Sequence, residues 1–133
     1  ANPGRPVFGI IGDGSAMMTI QGLWTAANDD IPCIFVICNN GMYRVLRVNF
    51  DVYQREILKE SEPAGHNLLY SDFPIPFDMA TIAAGMGVHG ERILDPSEIG
   101  PAVNRALASK KPALLDIVID GSLQNTGKTI GSH

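Results

Sequence analysis

The chain has 133 residues, 45% of them hydrophobic and 18% charged, which suits one compact domain and excludes a disordered or fibrous chain. Ten Lys and Arg against fourteen Asp and Glu leave a net charge of −4 with no basic stripe, a poor match to nucleic acid or an anionic membrane. No apolar run reaches the roughly 18 residues of a membrane-spanning helix, and Ala1 to Pro6 lack the basic-then-apolar order of a secretion signal.

Val7-Phe8-Gly9-Ile10-Ile11 is a short apolar run closed by Gly12-Asp13-Gly14, the pattern of a buried strand entering a tight turn. Ser15 is placed to cap a following helix from Ala16 to about Asn28, with Met18, Leu23, Trp24 and Ala27 near helical spacing. Asp29-Asp30 and Pro32 end it. Ile34-Phe35-Val36-Ile37 is apolar throughout and suits a central strand of a parallel sheet, stopping at Asn39-Asn40-Gly41. The sum is a βαβ unit. Cys33 and Cys38 would stand on opposite faces of that second strand, about 16 Å apart at ~3.3 Å per residue. A disulfide needs Cα atoms within about 7 Å, so two reduced thiols and a cytoplasmic protein are expected.

From Val48 to Pro76 the periodicity is lost, and charges, Pro63, Gly65, Pro74 and Pro76 predict a flap with one or two helical turns around Tyr53 to Lys59. Phe77 to Gly85 predicts a helix and Val88 to Leu94 a strand. Asp95-Pro96-Ser97-Glu98 has the marks of a helix start, with Ile99, Val103, Ala106 and Leu107 on its buried face. Ala113 to Ile119 predicts a last buried strand, followed from Gly121 to His133 by a polar, frayed tail. The predicted class is α/β, an open and mostly parallel sheet with helices on both faces. A chain that opens almost at once on a central-looking strand reads as part of a larger protein.

Open α/β sheets bind ligands at the carboxyl ends of their strands, where both the Gly12–Ser15 and Asn39–Tyr43 turns lie. On neighbouring strands, about 4.8 Å apart, Asp13 and Asn40 can point at one small object. The glycines admit a close backbone approach and the helix opening favours an anion, yet Asp13 carries the same sign as that anion. A divalent cation between carboxylate and phosphate resolves the conflict. A carboxylate, an amide oxygen and a backbone carbonyl, with phosphate and water, form a set that Mg²⁺ accepts. A dinucleotide fingerprint fits worse, since Met17 stands where its third glycine belongs. A phosphate loop over Ser122 to Thr129 lacks its first glycine and any following helix.

Gly12-Asp13-Gly14, with Asn40 27 residues beyond Asp13 in Asn39-Asn40-Gly41, resembles the motif of thiamine-diphosphate-dependent enzymes. Gly12 to Ala16, Leu23-Trp24-Thr25-Ala26-Ala27, Ile31-Pro32 and Ile34 to Ile37 resemble the benzoylformate decarboxylase and acetolactate synthase group, and the likeness runs from Pro6 to about Ile119. The resemblance implies that residues 1–120 are the latter part of the cofactor's diphosphate-binding domain, with 121–133 as its tail. It implies thiamine diphosphate and Mg²⁺ as cofactors, with Asp13, Asn40 and the Met42 carbonyl on the metal. Gly12, Gly14, Ser15 and Tyr43 would meet the diphosphate, with Val45 and Leu46 near the thiazolium and substrate. It implies a 2-oxo acid substrate, decarboxylation or carboligation, and a homo-oligomer. The cofactor-activating Glu belongs to an N-terminal domain that this chain does not match, as does a middle domain, so the chain is expected to be inactive alone. Arg44 stands where the benzoylformate type has a small residue, and the flap is longer than in that type, so substrate identity does not carry over. A non-catalytic relative and a stand-alone Mg-diphosphate module are the alternative readings.

Blander roles compete for several residues. Asp13 and Asn40 could be turn residues only, and Tyr43 a half-buried turn aromatic. Arg44 and Arg47, with Asp51 and Glu56 near in sequence, are expected to be solvated or at an interface. Met17, Met18 and Trp24 are expected in the core or a subunit interface. His66 and His89 are read as structural, and Lys110-Lys111-Pro112 as a solvated helix end.

Overall fold

The computed structural model describes residues 4–60 and 68–122. Their elements are β1 (Val7–Gly12), α1 (Asp13–Met17), α2 (Gly22–Asn28), β2 (Cys33–Asn39), α3 (Arg44–Glu56), α4 (Met79–Gly85), β3 (His89–Ile93), a 3₁₀ turn (Pro96–Glu98), α5 (Ile99–Ser109) and β4 (Ala113–Val118). The four strands form one sheet in the order β1-β2-β4-β3, and every pairing is parallel. β2 is central, as its unbroken apolar run predicts.

Alternation along β2 and β4 divides the core between two faces. Ile37, Leu114 and Val88 pack with Ala16, Leu23, Met79 and Ala83 on one face, joined by Phe35. Ile34, Ala113 and Leu115 pack with Ile93, Ala102 and Ala106 on the other, joined by Val36 and Ile117. Helices therefore cover both faces: α1, α2 and α4 on the first, α5 on the second. Gly90 of β3 is where α4 lies closest, since a Cβ built there would stand 2.7 Å from the Ala80 Cα.

Three expectations change over α1 to α3. The helix foreseen from Ala16 to Asn28 is two short helices separated at Met18 to Gln21 by i→i+3 bonds, including Thr19 N–H to Ala16 O and Gly22 N–H to Thr19 O. Thr19, Ile20 and Gly22 are weak helix formers, which accounts for the break. Its N-cap is Gly12 rather than Ser15, which stands exposed inside α1. Leu23 and Ala26 are the buried residues of α2, whereas Met18 and Trp24 are 70% and 59% exposed; of the three named, only Met17 packs on the core.

The second change is α3, a thirteen-residue helix where the flap was expected to have a turn or two. Its buried residues are Arg47 and Gln54, while Val45, Leu46, Val52 and Tyr53 are exposed. Arg47 is the third. Instead of being solvated, it donates from Nε to Ser71 Oγ at 2.6 Å and pairs with Asp72, tying α3 to the end of the flap. Asp51 pairs with Arg55 instead. The middle of the flap, His66 included, lies outside the described residues.

Elsewhere the helix-start signals hold, whereas β1, expected as a buried strand, is an edge strand with Val7, Phe8 and Ile10 exposed, and on α5 Leu107 is exposed while Ala102 is buried. Asp78 caps α4 by accepting from the Thr81 N–H at 3.0 Å, and Asp95 accepts from the Ser97 N–H at 2.9 Å at the 3₁₀ turn. The Thr81 bonds hold the Asp78 carboxyl below the usual carboxylate range. A depressed carboxyl contributes stability above its unfolded pKa and loses it as the pH falls through the folded value. Cys33 and Cys38 are free thiols, and burial pushes the Cys33 thiol up. His89 is exposed beside Glu91. Lys110 closes α5 in the left-handed conformation, φ 54°. Among the described residues, no helix is long and apolar enough to cross a membrane.

Candidate functional site

The candidate site forms where β1 and β2 end side by side. Their register places Gly12 opposite Cys38, so the turns after each strand start at the same level of the sheet. Asp13 is 2% exposed. Its Oδ1 accepts from the Gly14 N–H at 2.9 Å and its Oδ2 from the Gly41 N–H at 2.7 Å. The second bond joins the two half-motifs directly across 28 residues of sequence. Among the described residues, Asp13 forms no ion pair. A carboxylate shielded from water and left without a cation is costly unless something else supplies the positive charge.

The second turn is equally defined. Asn40 Oδ1 accepts from the Met42 N–H at 3.2 Å, closing an Asx turn, and Gly41 takes φ +69°, which glycine adopts without strain. Met42 bridges Asp72 in antiparallel fashion, through Tyr43 N–H to Ser71 O at 2.7 Å and Phe73 N–H to Gly41 O at 2.8 Å. In such a bridge the central residue's own N–H and C=O point away from the partner strand. The Met42 carbonyl accepts no backbone N–H among the described residues.

Aromatic packing fixes the roof. The Tyr43 ring stacks edge-on against Phe73 with centroids 4.9 Å apart, and Phe73 against Phe77 at 4.8 Å. Tyr43 also covers Gly14: a Cβ there would stand 2.9 Å from Tyr43 Cδ1 and 3.0 Å from Phe73 Cζ. Tyr43 is thus both half-buried in a turn and placed at the first half-motif. α3 begins directly after it, bringing Val45 and Leu46, both exposed, to the same end of the sheet.

Several contributors carry no sequence signal. Gly121, expected to begin a frayed tail, packs on the Asn40 carbonyl, and a Cβ on it would stand 3.0 Å from Met42 Cε. Residues 123–133, the rest of that tail, lie outside the described residues. Asp120 accepts from Ser122 Oγ at 2.6 Å, and these bonds, with Arg44 adding a smaller attraction, hold its carboxyl below the usual range. No three His, Cys, Asp or Glu side chains gather into a metal cluster among the described residues. Any cation here must draw on amide and carbonyl oxygens beside Asp13.

The chain is similar to known proteins over most of its length. The chain is 35% identical over 117 residues to benzoylformate decarboxylase of Pseudomonas aeruginosa, a match covering 88% of this chain and 20% of that protein. It is 32% identical over 122 residues to the chloroplastic acetolactate synthase 1 of Oryza sativa subsp. japonica, covering 90% and 18%. The fold superposes on the thiamine diphosphate-dependent 4-hydroxybenzoylformate decarboxylase of Rhodococcus jostii RHA1 with a TM-score of 0.76 and 33% identity, over 92% of this chain and 21% of that one. The chain therefore spans about a fifth of the length of the relatives it matches. Residues 1–117 match the family described as thiamine pyrophosphate enzyme, C-terminal TPP binding domain, and the chain belongs to that family.

Proposed function

We propose that the chain is the cofactor-binding part of a thiamine-diphosphate- and Mg²⁺-dependent enzyme that decarboxylates 2-oxo acids or joins the product to an acceptor. The observation that carries this reading is Asp13: a carboxylate 2% exposed, without an ion pair among the described residues, and bonded to the turn that contains Asn40. The donor chemistry fits the metal. Each Asp13 oxygen accepts one N–H and keeps a second acceptor site, as does Asn40 Oδ1, and the Met42 carbonyl faces away from its bridge partner. Three oxygens of these kinds, completed by phosphate and water, suit Mg²⁺.

In this reading Asp13, Asn40 and Met42 hold the metal, and Gly12, Gly14, Ser15 and Tyr43 line the diphosphate. The Tyr43 ring over Gly14 keeps water from one side. Val45 and Leu46, apolar and exposed, present surface toward the reacting end of the cofactor. Thiamine diphosphate, were it bound there, would supply the nucleophile and the electron sink that decarboxylation of a 2-oxo acid needs. The chain's share is to bind, orient and shield. Residues 1–120 are then the latter part of the diphosphate-binding domain, and the first and middle domains supply the activating Glu and the rest of the substrate site. The short span relative to its relatives supports that division. Exposed Val7, Phe8 and Ile10 on β1, with Met18 and Trp24 on the adjoining segments, support work within a homo-oligomer. Two unpaired thiols suit a reducing, cytoplasmic setting.

Release of CO₂ from a panel of 2-oxo acids by the full-length protein tests this. Turnover is expected only with both thiamine diphosphate and Mg²⁺, and none from the 133-residue chain alone. Binding of both without turnover of any 2-oxo acid would overturn the enzyme reading in favour of a non-catalytic relative.

A further inference from the structure

A buried polar pair outside the site lies directly behind it. Asp116 of β4 is 0% exposed and Asn39, the last residue of β2, is 2% exposed. The Asn39 Nδ2 group donates to Asp116 Oδ1 at 2.8 Å and to the Phe77 carbonyl at 2.9 Å. Asp116 Oδ2 accepts from the Met79 N–H, the first residue of α4, at 3.3 Å, and faces Arg92 Nη1 of β3 at 3.5 Å. Asn39 therefore spends both amide hydrogens, and each Asp116 oxygen accepts one N–H. Four separate elements meet at two side chains.

Core packing alone does not call for this. Ala113, Leu114 and Leu115, the three β4 residues before it, are fully buried and apolar, and an apolar side chain at 116 would continue that pattern. A buried carboxylate is costly to keep where an apolar side chain would serve. What the pair fixes is position. Asn39 immediately precedes Asn40, so locking its side chain to β4 and to the Phe77 carbonyl sets where β2 ends. Phe77 in turn stacks on Phe73, which stacks on Tyr43 over Gly14, and the Phe73 N–H bonds the Gly41 carbonyl. The same pair thus anchors both walls of the turn.

We propose that Asn39 and Asp116 are positioning residues for the cofactor site, holding the Asn40–Met42 turn in the geometry that receives the metal. The inference rests on the proposed Mg²⁺ and thiamine diphosphate reading. Outer partners that orient metal ligands typically alter metal affinity 10–100-fold when lost. Asp116→Asn keeps the shape but turns a donor toward a donor, and Asn39→Ala removes both bonds.

The test is calorimetric titration of Mg²⁺ into the full-length protein with saturating thiamine diphosphate. Wild-type binding followed by a loss of roughly tenfold or more in each variant is expected. Ile34→Ala, a core truncation at the other end of β2, serves as control; it is expected to lower the melting temperature while leaving the Mg²⁺ affinity within about twofold, since ligand geometry rather than stability sets affinity. The exchanged pair Asn39→Asp/Asp116→Asn restores the bond between the two side chains and is expected to recover part of the affinity. Absence of Mg²⁺ binding by the wild type would overturn the cofactor reading itself. Wild-type binding with unchanged affinity in whichever of the two single variants folds would overturn only the positioning role, as would a loss in Ile34→Ala equal to theirs. Should neither single variant fold, the exchanged pair decides: folding with Mg²⁺ affinity within about tenfold of wild type supports the role, and weaker binding or failure to fold overturns it in favour of a structural one.

Discussion

Asp13→Asn in the full-length protein is expected to weaken Mg²⁺-supported binding of thiamine diphosphate by at least about 100-fold, beyond the usual effect of losing an outer partner. The reason is charge. Asp13 is the carboxylate that joins the two turns, and the other proposed ligands, an Asn40 amide oxygen and a Met42 carbonyl, are neutral. The fold should tolerate the change. The variant loses one of two hydrogen bonds to backbone N–H groups, worth about 1 kcal/mol, but also removes a buried charge that has no ion pair among the described residues. Thermal unfolding without cofactor should therefore move by no more than about 1 kcal/mol in either direction. A large loss of stability with unchanged cofactor affinity would make Asp13 a turn residue only.

Gly90→Val carries the largest expected effect on folding. A Cβ at this position would stand 2.7 Å from the Ala80 Cα and 2.8 Å from its carbonyl carbon. Both are backbone atoms of α4, which rests on Met79 and Ala83 in the core, so no side-chain movement at the contact can make room. Separating α4 from β3 to admit the new side chain should cost about 3 kcal/mol, the upper end for overpacking. Gly100 provides the contrast. It lies in α5 with open space around its Cβ position, so Gly100→Ala should raise stability by up to about 1 kcal/mol through helix propensity alone. Denaturant midpoints of the two variants against wild type check both signs.

The strands and their ends were legible because their signals are local. Apolar runs closed by Gly12-Asp13-Gly14 and Asn39-Asn40-Gly41 gave β1, β2 and the turns, and a parallel sheet then required those turns to share one end. The Gly41 N–H bonded to Asp13 Oδ2 joins those turns. α3 was not legible because its pattern is inverted. Its buried side is built from Arg47 and Gln54, and its apolar residues Val45, Leu46, Val52 and Tyr53 face outward, so apolar periodicity points to the wrong face or to no helix. Arg47 is buried through partners at Ser71 and Asp72, more than twenty residues away, which no local window contains. The break within the α1–α2 segment was concealed for another reason. Met18 and Trp24 fall at helical spacing yet are exposed, so their apolar character reports on a surface rather than on the core of this chain. Gly121 and the Asn39–Asp116 pair become visible only once β4 lies beside β2.

Titration of thiamine diphosphate into the full-length protein, with Mg²⁺ and then with the metal chelated, tests the central claim most directly. The proposed reading puts a cation between the Asp13 carboxylate and the diphosphate, so binding should be strong with Mg²⁺ and lost without it, and thiamine lacking the diphosphate should not bind in either case. Equal affinity with the metal chelated would contradict a metal-bridged diphosphate at Asp13, Asn40 and Met42.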